Sequence, residues 1–379
     1  MRKSIKFCVL TVSLLLLVSS ASASWTSKRL TNNSGQSAEP RIAASGAKVY
    51  VVWKDDVSGN NEVYIRKSVD NGSTWGAAQR LSNNAGSSTR PAVAVSGANV
   101  FVTWQDDSPG NREIYFCRSI DSGAAWKPVK QLTNNAGFSE FPRIAARGAN
   151  VYVVWVDFTP GNNEIFFRRS ADYGSTWQSA RRMTSSPGNN GLPAIAVDGA
   201  DVYLSWTDDT PGFPQIFFRR SANWGLSWLA ARQISSGAGK STEPAMATAG
   251  DGATVYIASR SDLTGNNEVF FTKSIDNGGL WIAAQQITFT TGTSTFPSMA
   301  ADGTNVYLVW TDDTAAGTDE VYFKKSGDNG STWGATQRLT FNTAWSSLPI
   351  VAVGATNIFV TYYDPAPGNL EIFLKYSPR

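Results

Sequence analysis

A proline recurs along this 379-residue chain at a nearly constant step: Pro40, Pro91, Pro142, Pro193, Pro244, Pro297 and Pro349. What lies between the prolines recurs as well. Each is followed by a short alternating run such as Arg41-Ile-Ala-Ala, a Ser-Gly or Asp-Gly turn, and a β-rich run such as Val49-Tyr-Val-Val-Trp53. Next come a polar loop, as in Asp55-Asp-Val-Ser-Gly59-Asn-Asn, a strand such as Glu62-Val-Tyr-Ile-Arg-Lys, a second turn, and a last strand from Trp75 to Leu81. Four short strands per unit, with turn residues between them and self-similarity at about fifty residues, predict a blade that buries its faces against its neighbours. Seven prolines predict seven blades, and so an all-β, seven-bladed β-propeller.

The second turn of each unit carries its own pattern. It reads Ser68-Val-Asp70-Asn-Gly72-Ser-Thr74-Trp75 in the first unit, and returns with Asp121 and Trp126, Asp172 and Trp177, Asn223 and Trp228, Asp276 and Trp281, and Asp328 and Trp333. An Asp that bonds its own turn's backbone, a Gly free to take positive φ and a Trp that pins the next strand make this a folding device. The pattern resembles the Asp box, or BNR repeat, of the sialidase-like β-propellers, and six copies in register extend the resemblance over the whole chain after its leader. The resemblance implies that these turns are structural, on the face away from the ligand, and that a ligand binds around the mouth of the central channel. It also implies three arginines clamping a substrate carboxylate in the sialidases, whose domains have six blades; seven-bladed Asp-box lectins are similar to this chain in blade count.

At the amino terminus, Met1-Arg-Lys-Ser-Ile-Lys6 is basic, Cys8 to Val18 is apolar, and Ala21-Ser-Ala23 is small. This predicts a secretory signal peptide over residues 1–23, cleaved after Ala23, and an extracellular protein with no transmembrane anchor. A single propeller is then expected over 24–379. The chain stops at Tyr376-Ser-Pro-Arg379, where a seventh box would begin, while Trp25-Thr-Ser-Lys-Arg29-Leu30 matches the last strand of a blade. The first strand of the exported chain is therefore expected to complete the last blade and close the ring.

Histidine is absent, which excludes Ser-His-Asp chemistry and His-based metal hydrolysis. Lysine and arginine are scattered along the strands, giving no electrostatic footprint for nucleic acid or an anionic membrane. The box tryptophans and those at Trp53, Trp104, Trp155, Trp206 and Trp310 are expected to form two buried layers.

Function is expected at the channel mouth, where the loops after the second strand gather Asp55, Asp106, Asp157, Asp208 and Asp312. Such a ring of carboxylates suits Ca²⁺ or sugar hydroxyls, or simply starts turns; no cofactor is otherwise called for. Arg41, Arg90 and Arg143 flank three successive prolines and suit a carboxylate ligand, with Glu39, Glu140 and Glu243 as ordinary pairing partners. Phe138 and Trp345 replace small or polar residues in the blade connections and suit stacking on a sugar face. No nucleophile or acid/base pair stands out. The expected function is a non-catalytic, lectin-like module for glycans or other cell-surface components, with a sialidase-type glycoside hydrolase and a protein-interaction scaffold as alternatives.

Overall fold

A computed structural model describes residues 24–314 and 317–379; the leader expected over 1–23 lies outside the described residues. Seven four-stranded antiparallel sheets account for every strand. Blade 1 runs from an inner strand, Ala38–Ser45, through a second, Lys48–Asp55, and a third, Glu62–Ser68, to an outer strand, Gln79–Arg80. The inner strands of blades 2 to 7 are Ser88–Ser96, Ser139–Arg147, Asn190–Asp198, Ser241–Thr248, Ser294–Asp302 and Ser347–Val353. Consecutive inner strands pack on one another, and that of blade 1 packs on that of blade 7, so they line the central channel.

The ring closes as the sequence implies. Thr26–Arg29 pairs antiparallel with Glu371–Pro378, Thr26 opposite Tyr376 and Arg29 opposite Phe373, which makes the first strand of the chain the outer strand of blade 7. Closure removes the sheet edge that blade 7 would otherwise expose.

Two tryptophan layers hold the blades together. Trp53, Trp104, Trp155, Trp206 and Trp310 are fully buried at their second strands, and Trp53 stacks on Tyr64 of the same blade with centroids 5.9 Å apart. The box tryptophans are half-buried and reach across to the preceding blade. Trp177 meets Phe116 edge-on at 5.0 Å, Trp228 meets Phe167 at 5.2 Å, and Trp25 meets Phe323 at 5.0 Å across the closure. One layer welds strands within a blade; the other welds blade to blade.

The box turn is satisfied internally. Asp70 accepts hydrogen bonds from the Ser68 hydroxyl at 2.7 Å, the Thr74 N–H at 2.8 Å and the Thr74 hydroxyl at 2.5 Å. Gly72 takes φ +83°, and a side chain there would strike the Phe359 ring. The Thr74 hydroxyl and N–H hold the Asp70 carboxyl down at about 2, against an ordinary 3.8. A carboxylate whose folded-state value is depressed contributes above its unfolded value and loses that contribution as pH falls. The melting temperature is therefore expected to hold down to about 3.8 and to decline towards 2 as the boxes protonate. Asp70→Asn should blunt the decline, and an identical acid limb in that variant would show that the box carries none of it.

Two local details depart from the sequence reading. The outer strands of blades 1 to 6 pair over only two residues, whereas that of blade 7 pairs over four. The inner strands start two or three residues ahead of each proline and take the proline in at a β-bulge, with the register slipping between Ala38 and Arg41 and at the matching place in every blade. A proline has no N–H to give the ladder, so a bulge is where a strand tolerates it.

Candidate functional site

The bulge determines what faces the mouth. The residue before each proline takes a left-handed backbone: Glu39, Arg90, Phe141, Leu192, Glu243, Phe296 and Leu348 all have φ between +49° and +56°. Residues preceding proline strongly prefer extended backbone, so only the surrounding ladder holds seven of them here. The turn swings each of these side chains into the channel opening. There they line a cavity of about 310 Å³ with Arg41 and Arg143 from the strand just below.

Arg41, Arg90 and Arg143, on blades 1, 2 and 3, therefore converge in one cavity as expected. The carboxylates expected to neutralise them do not. Glu39 accepts the Arg90 main-chain N–H at 2.6 Å, Glu140 pairs with Arg112, and Glu243 pairs with Arg260 at 3.1 Å. Arg41 and Arg143 donate only to the carbonyl of the proline before them, at 3.0 Å each, and neither makes an ion pair with a described residue. Burial pushes the Arg41 guanidinium down to about 10, with Glu39 raising and Arg90 lowering it. Burial pushes Arg143 down to about 9, with Arg41 and Arg90 lowering it further. Both remain cations at neutral pH. The cavity thus gathers three arginines against Glu39 and an Arg260-paired Glu243, a surplus of positive charge.

Aromatic side chains flank the arginines on both sides. Arg90 lies over the Phe141 ring, 4.2 Å from its centre. Outward over blade 2, a polar groove of about 300 Å³ shares Glu39 and Arg90 with the cavity and continues past Gln105 and Asp107 to the Arg112–Glu140 pair. At its end Arg112 covers the exposed Phe138 ring. On the blade 7 side, Trp345 meets Tyr363 edge-on at 5.2 Å. Burial pushes the Tyr363 phenol up, and the nearby Glu39 and Asp319 carboxylates push it further. Neither Phe138 nor Trp345 lines the cavity itself: Phe138 adjoins the groove through Arg112, and Trp345 packs on Tyr363.

The expected carboxylate ring is corrected. Asp55, Asp106, Asp157, Asp208 and Asp312 are all buried. Asp55 accepts from Asn33 at 2.9 Å, from the Trp53 indole N–H at 3.1 Å and from the Val57 N–H at 2.9 Å. Asp157 repeats this with Asn135, Trp155 and Thr159. Asp55, Asp106, Asp157 and Asp312 tie the blade connection to the second strand, which engages them within the protein, whereas Asp208 accepts only the Thr210 N–H. Asp157→Ala should strand the Asn135 amide and Trp155 indole donors and cost about 3 kcal/mol of unfolding free energy, read by denaturant titration. A variant as stable as the parent would return that carboxylate to the ligand. Among the described residues, no three acidic, Cys or His side chains are arranged to hold a metal ion.

Phe141, Gln105 and Tyr363 escape the sequence reading, although a signal for them exists. The pre-proline position, and the position before the loop Asp, differ from unit to unit while the residues around them repeat.

No family model and no curated protein matches the chain. Solved structures do. An ulvan lyase, a polysaccharide lyase bound to -[GlcA(1-4)Rha3S]-, superposes with TM-score 0.64 at 10% identity, covering 91% of this chain and 94% of that one. The α-L-arabinofuranosidase of Fusarium graminearum with arabinobiose gives 0.55 at 14% identity, over 77% of this chain and 93% of that one. The Trypanosoma rangeli sialidase with the inhibitor DANA gives 0.56 at 11% identity, over 93% of this chain and 60% of that one. The chain shares the β-propeller fold of these structures. At such identities the likeness speaks for the fold alone.

Proposed function

We propose that the protein is an exported binding module that holds an acidic carbohydrate at the channel mouth without cleaving it. The observation that carries this reading is the convergence of Arg41, Arg90 and Arg143, with Arg41 and Arg143 half-buried and in no ion pair with a described residue. A partly desolvated cation without an ion-pair partner is costly to the fold. A ligand carboxylate or sulfate supplies the missing charge and fits the guanidinium fork.

The rest of the mouth suits a sugar. Phe138 and Trp345 offer ring faces to C–H groups, and the Arg112–Glu140 pair and Gln105 offer partners to hydroxyls. The Ser68–Asp70–Thr74 hydrogen bonds support reading the turns as Asp boxes, which leaves the mouth as the ligand face. That the structural neighbours are solved with bound saccharides or a sialidase inhibitor also supports a carbohydrate ligand.

Binding without cleavage is supported by how Glu39 and Glu243 are engaged, although Asp319, whose carboxyl burial and then Asp313 push up, suits an acid in the hydrolase reading. Hydrolysis needs one carboxyl free to give a proton and another free to act on the opposite side of the bond. Glu39 is held by the Arg90 N–H, and Glu243 by Arg260 and the Phe296 N–H at 2.8 Å. Tyr363 is pushed towards its protonated form. A sialidase-type hydrolase is the second reading, favoured by the same three arginines.

The test is a glycan array probed with the exported chain, with calcium and again with a chelator, beside a sialoside-cleavage assay. Acidic glycans bound and neutral ones ignored, with no turnover, is the expected result. Turnover would convert the reading to the hydrolase, chelator-sensitive binding would bring calcium into the site, and a blank array would favour the protein scaffold.

A further inference from the structure

The cavity at the channel mouth has two unlike halves. Its arginines all come from blades 1 to 3, whereas blades 4 to 7 line it with Leu192, Met246, Phe296, Leu348 and Ile350. Only two polar side chains interrupt that second half, and both are engaged. Glu243 takes the Arg260 guanidinium at 3.1 Å and the Phe296 N–H at 2.8 Å, and the Ser298 hydroxyl accepts the Val351 N–H at 3.2 Å. Burial pushes the Glu243 carboxyl up against the pull of Arg260 and the Phe296 N–H, as expected where the surroundings are poor in water.

Packing does not account for this apolar half. Leu192, Phe296 and Leu348 belong to none of the hydrophobic cores of the blades, and Phe296 is 38% exposed. All three stand at the pre-proline bulge with φ of +49°, +50° and +49°, a backbone that bulky side chains adopt at a cost and that Asn adopts readily. An anion held by the arginines therefore meets large apolar side chains across the cavity. A hydroxyl pressed against them loses its water and finds the two polar side chains taken, whereas a methyl group only sheds water. At about 310 Å³ the cavity is at the small end for a ligand site, and the polar groove over blade 2 continues it through Glu39 and Arg90.

We propose that the cavity takes the terminal residue of a glycan ending in a sulfated 6-deoxyhexose. The sulfate lies among Arg41, Arg90 and Arg143, the C5 methyl lies against Leu192, Phe296 and Leu348, and the rest of the glycan leaves along the groove over blade 2. This rests on the reading of the mouth as a site for acidic carbohydrate. A sulfate at C2 or C3 stands across the ring from the C5 methyl, so a single residue reaches both halves. A uronate cannot do so, because its acid occupies the carbon of that methyl. An acetamido group brings a methyl together with an amide N–H and C=O that need partners of their own.

An array of matched sulfated glycosides tests this. Sulfated L-fucosides and L-rhamnosides are set beside sulfated L-galactosides and L-mannosides, which differ from them by one hydroxyl, with glucuronides and acidic N-acetylated sugars as the other acids. In the pairs that it binds, the parent should favour the deoxy member about ten-fold. The double variant Leu192→Asn, Leu348→Asn should bring the members of each pair to parity while still binding them, with the melting temperature unchanged. Acidic sugars bound without preference for the sulfated deoxy members, or a preference that survives in the variant, overturns the inference and leaves the acidic-carbohydrate reading standing. Binding to no acidic saccharide overturns both.

Discussion

A chain lacking Trp25 to Leu30 is expected to fail to form a stable ring. The six residues supply the outer strand of blade 7, and their removal breaks several interactions at once. The buried Glu371 loses Arg29, its ion-pair partner at 2.8 Å, which leaves a carboxylate inside the protein with its main counter-charge gone. Breaking a buried pair from one side costs about 3–5 kcal/mol. Leu30, 2% exposed, leaves a cavity worth about 2–5 kcal/mol. The Trp25 ring leaves Phe323, and its indole leaves Gln337. A domain has only about 5–15 kcal/mol in hand, so the truncated chain should melt far below the parent or not fold. The bared edge of Glu371–Pro378 should also drive association. Circular dichroism melts and size-exclusion chromatography read both effects. A monomer with the parental melting curve would show that the ring does not depend on the closure.

Arg143→Met is expected to do two opposite things. Removing a half-buried guanidinium that has no ion-pair partner, and that Arg41 and Arg90 push against more than Glu39 attracts it, relieves desolvation and repulsion together. Methionine fills comparable space with apolar atoms, so the free protein should gain about 1–4 kcal/mol, as when buried charges are replaced by well-packed apolar residues. The same change removes a charged hydrogen-bond donor from the anion site, and affinity for an acidic glycan should fall about a hundredfold. A gain in stability with a loss of binding is the mark of a residue kept for its ligand. If Arg143→Met were destabilised instead, the guanidinium would be serving the fold, and the unbalanced charge would lose its functional meaning.

The fold was legible because it is written seven times. Proline spacing gives the blade count, and the match of Trp25 to Leu30 with Trp75 to Leu81 gives the closure without any knowledge of packing. The site was legible in part. Arg41, Arg90 and Arg143 stand out beside their prolines, and Phe138 and Trp345 stand out as exceptions to their neighbours. The arginines' freedom from Glu39, Glu140 and Glu243 was not legible, because adjacency in sequence suggests pairs that the bulge prevents: it turns Glu39 to the Arg90 backbone, while Glu140 and Glu243 find Arg112 and Arg260. The loop carboxylates misled for a related reason. An Asp at a strand end reads alike whether it faces solvent or, as at Asp55, a buried tryptophan N–H.

The central claim is that the channel mouth binds an acidic carbohydrate through its unpaired arginines. It is tested most directly by calorimetric titration of one acidic oligosaccharide, chosen from the array, into the parent and into Arg41→Met and Arg143→Met. The account predicts saturable binding to the parent, about a hundredfold weaker in each variant, with both variants at least as thermally stable as the parent. Binding undiminished in both variants would contradict it and place the ligand elsewhere on the propeller.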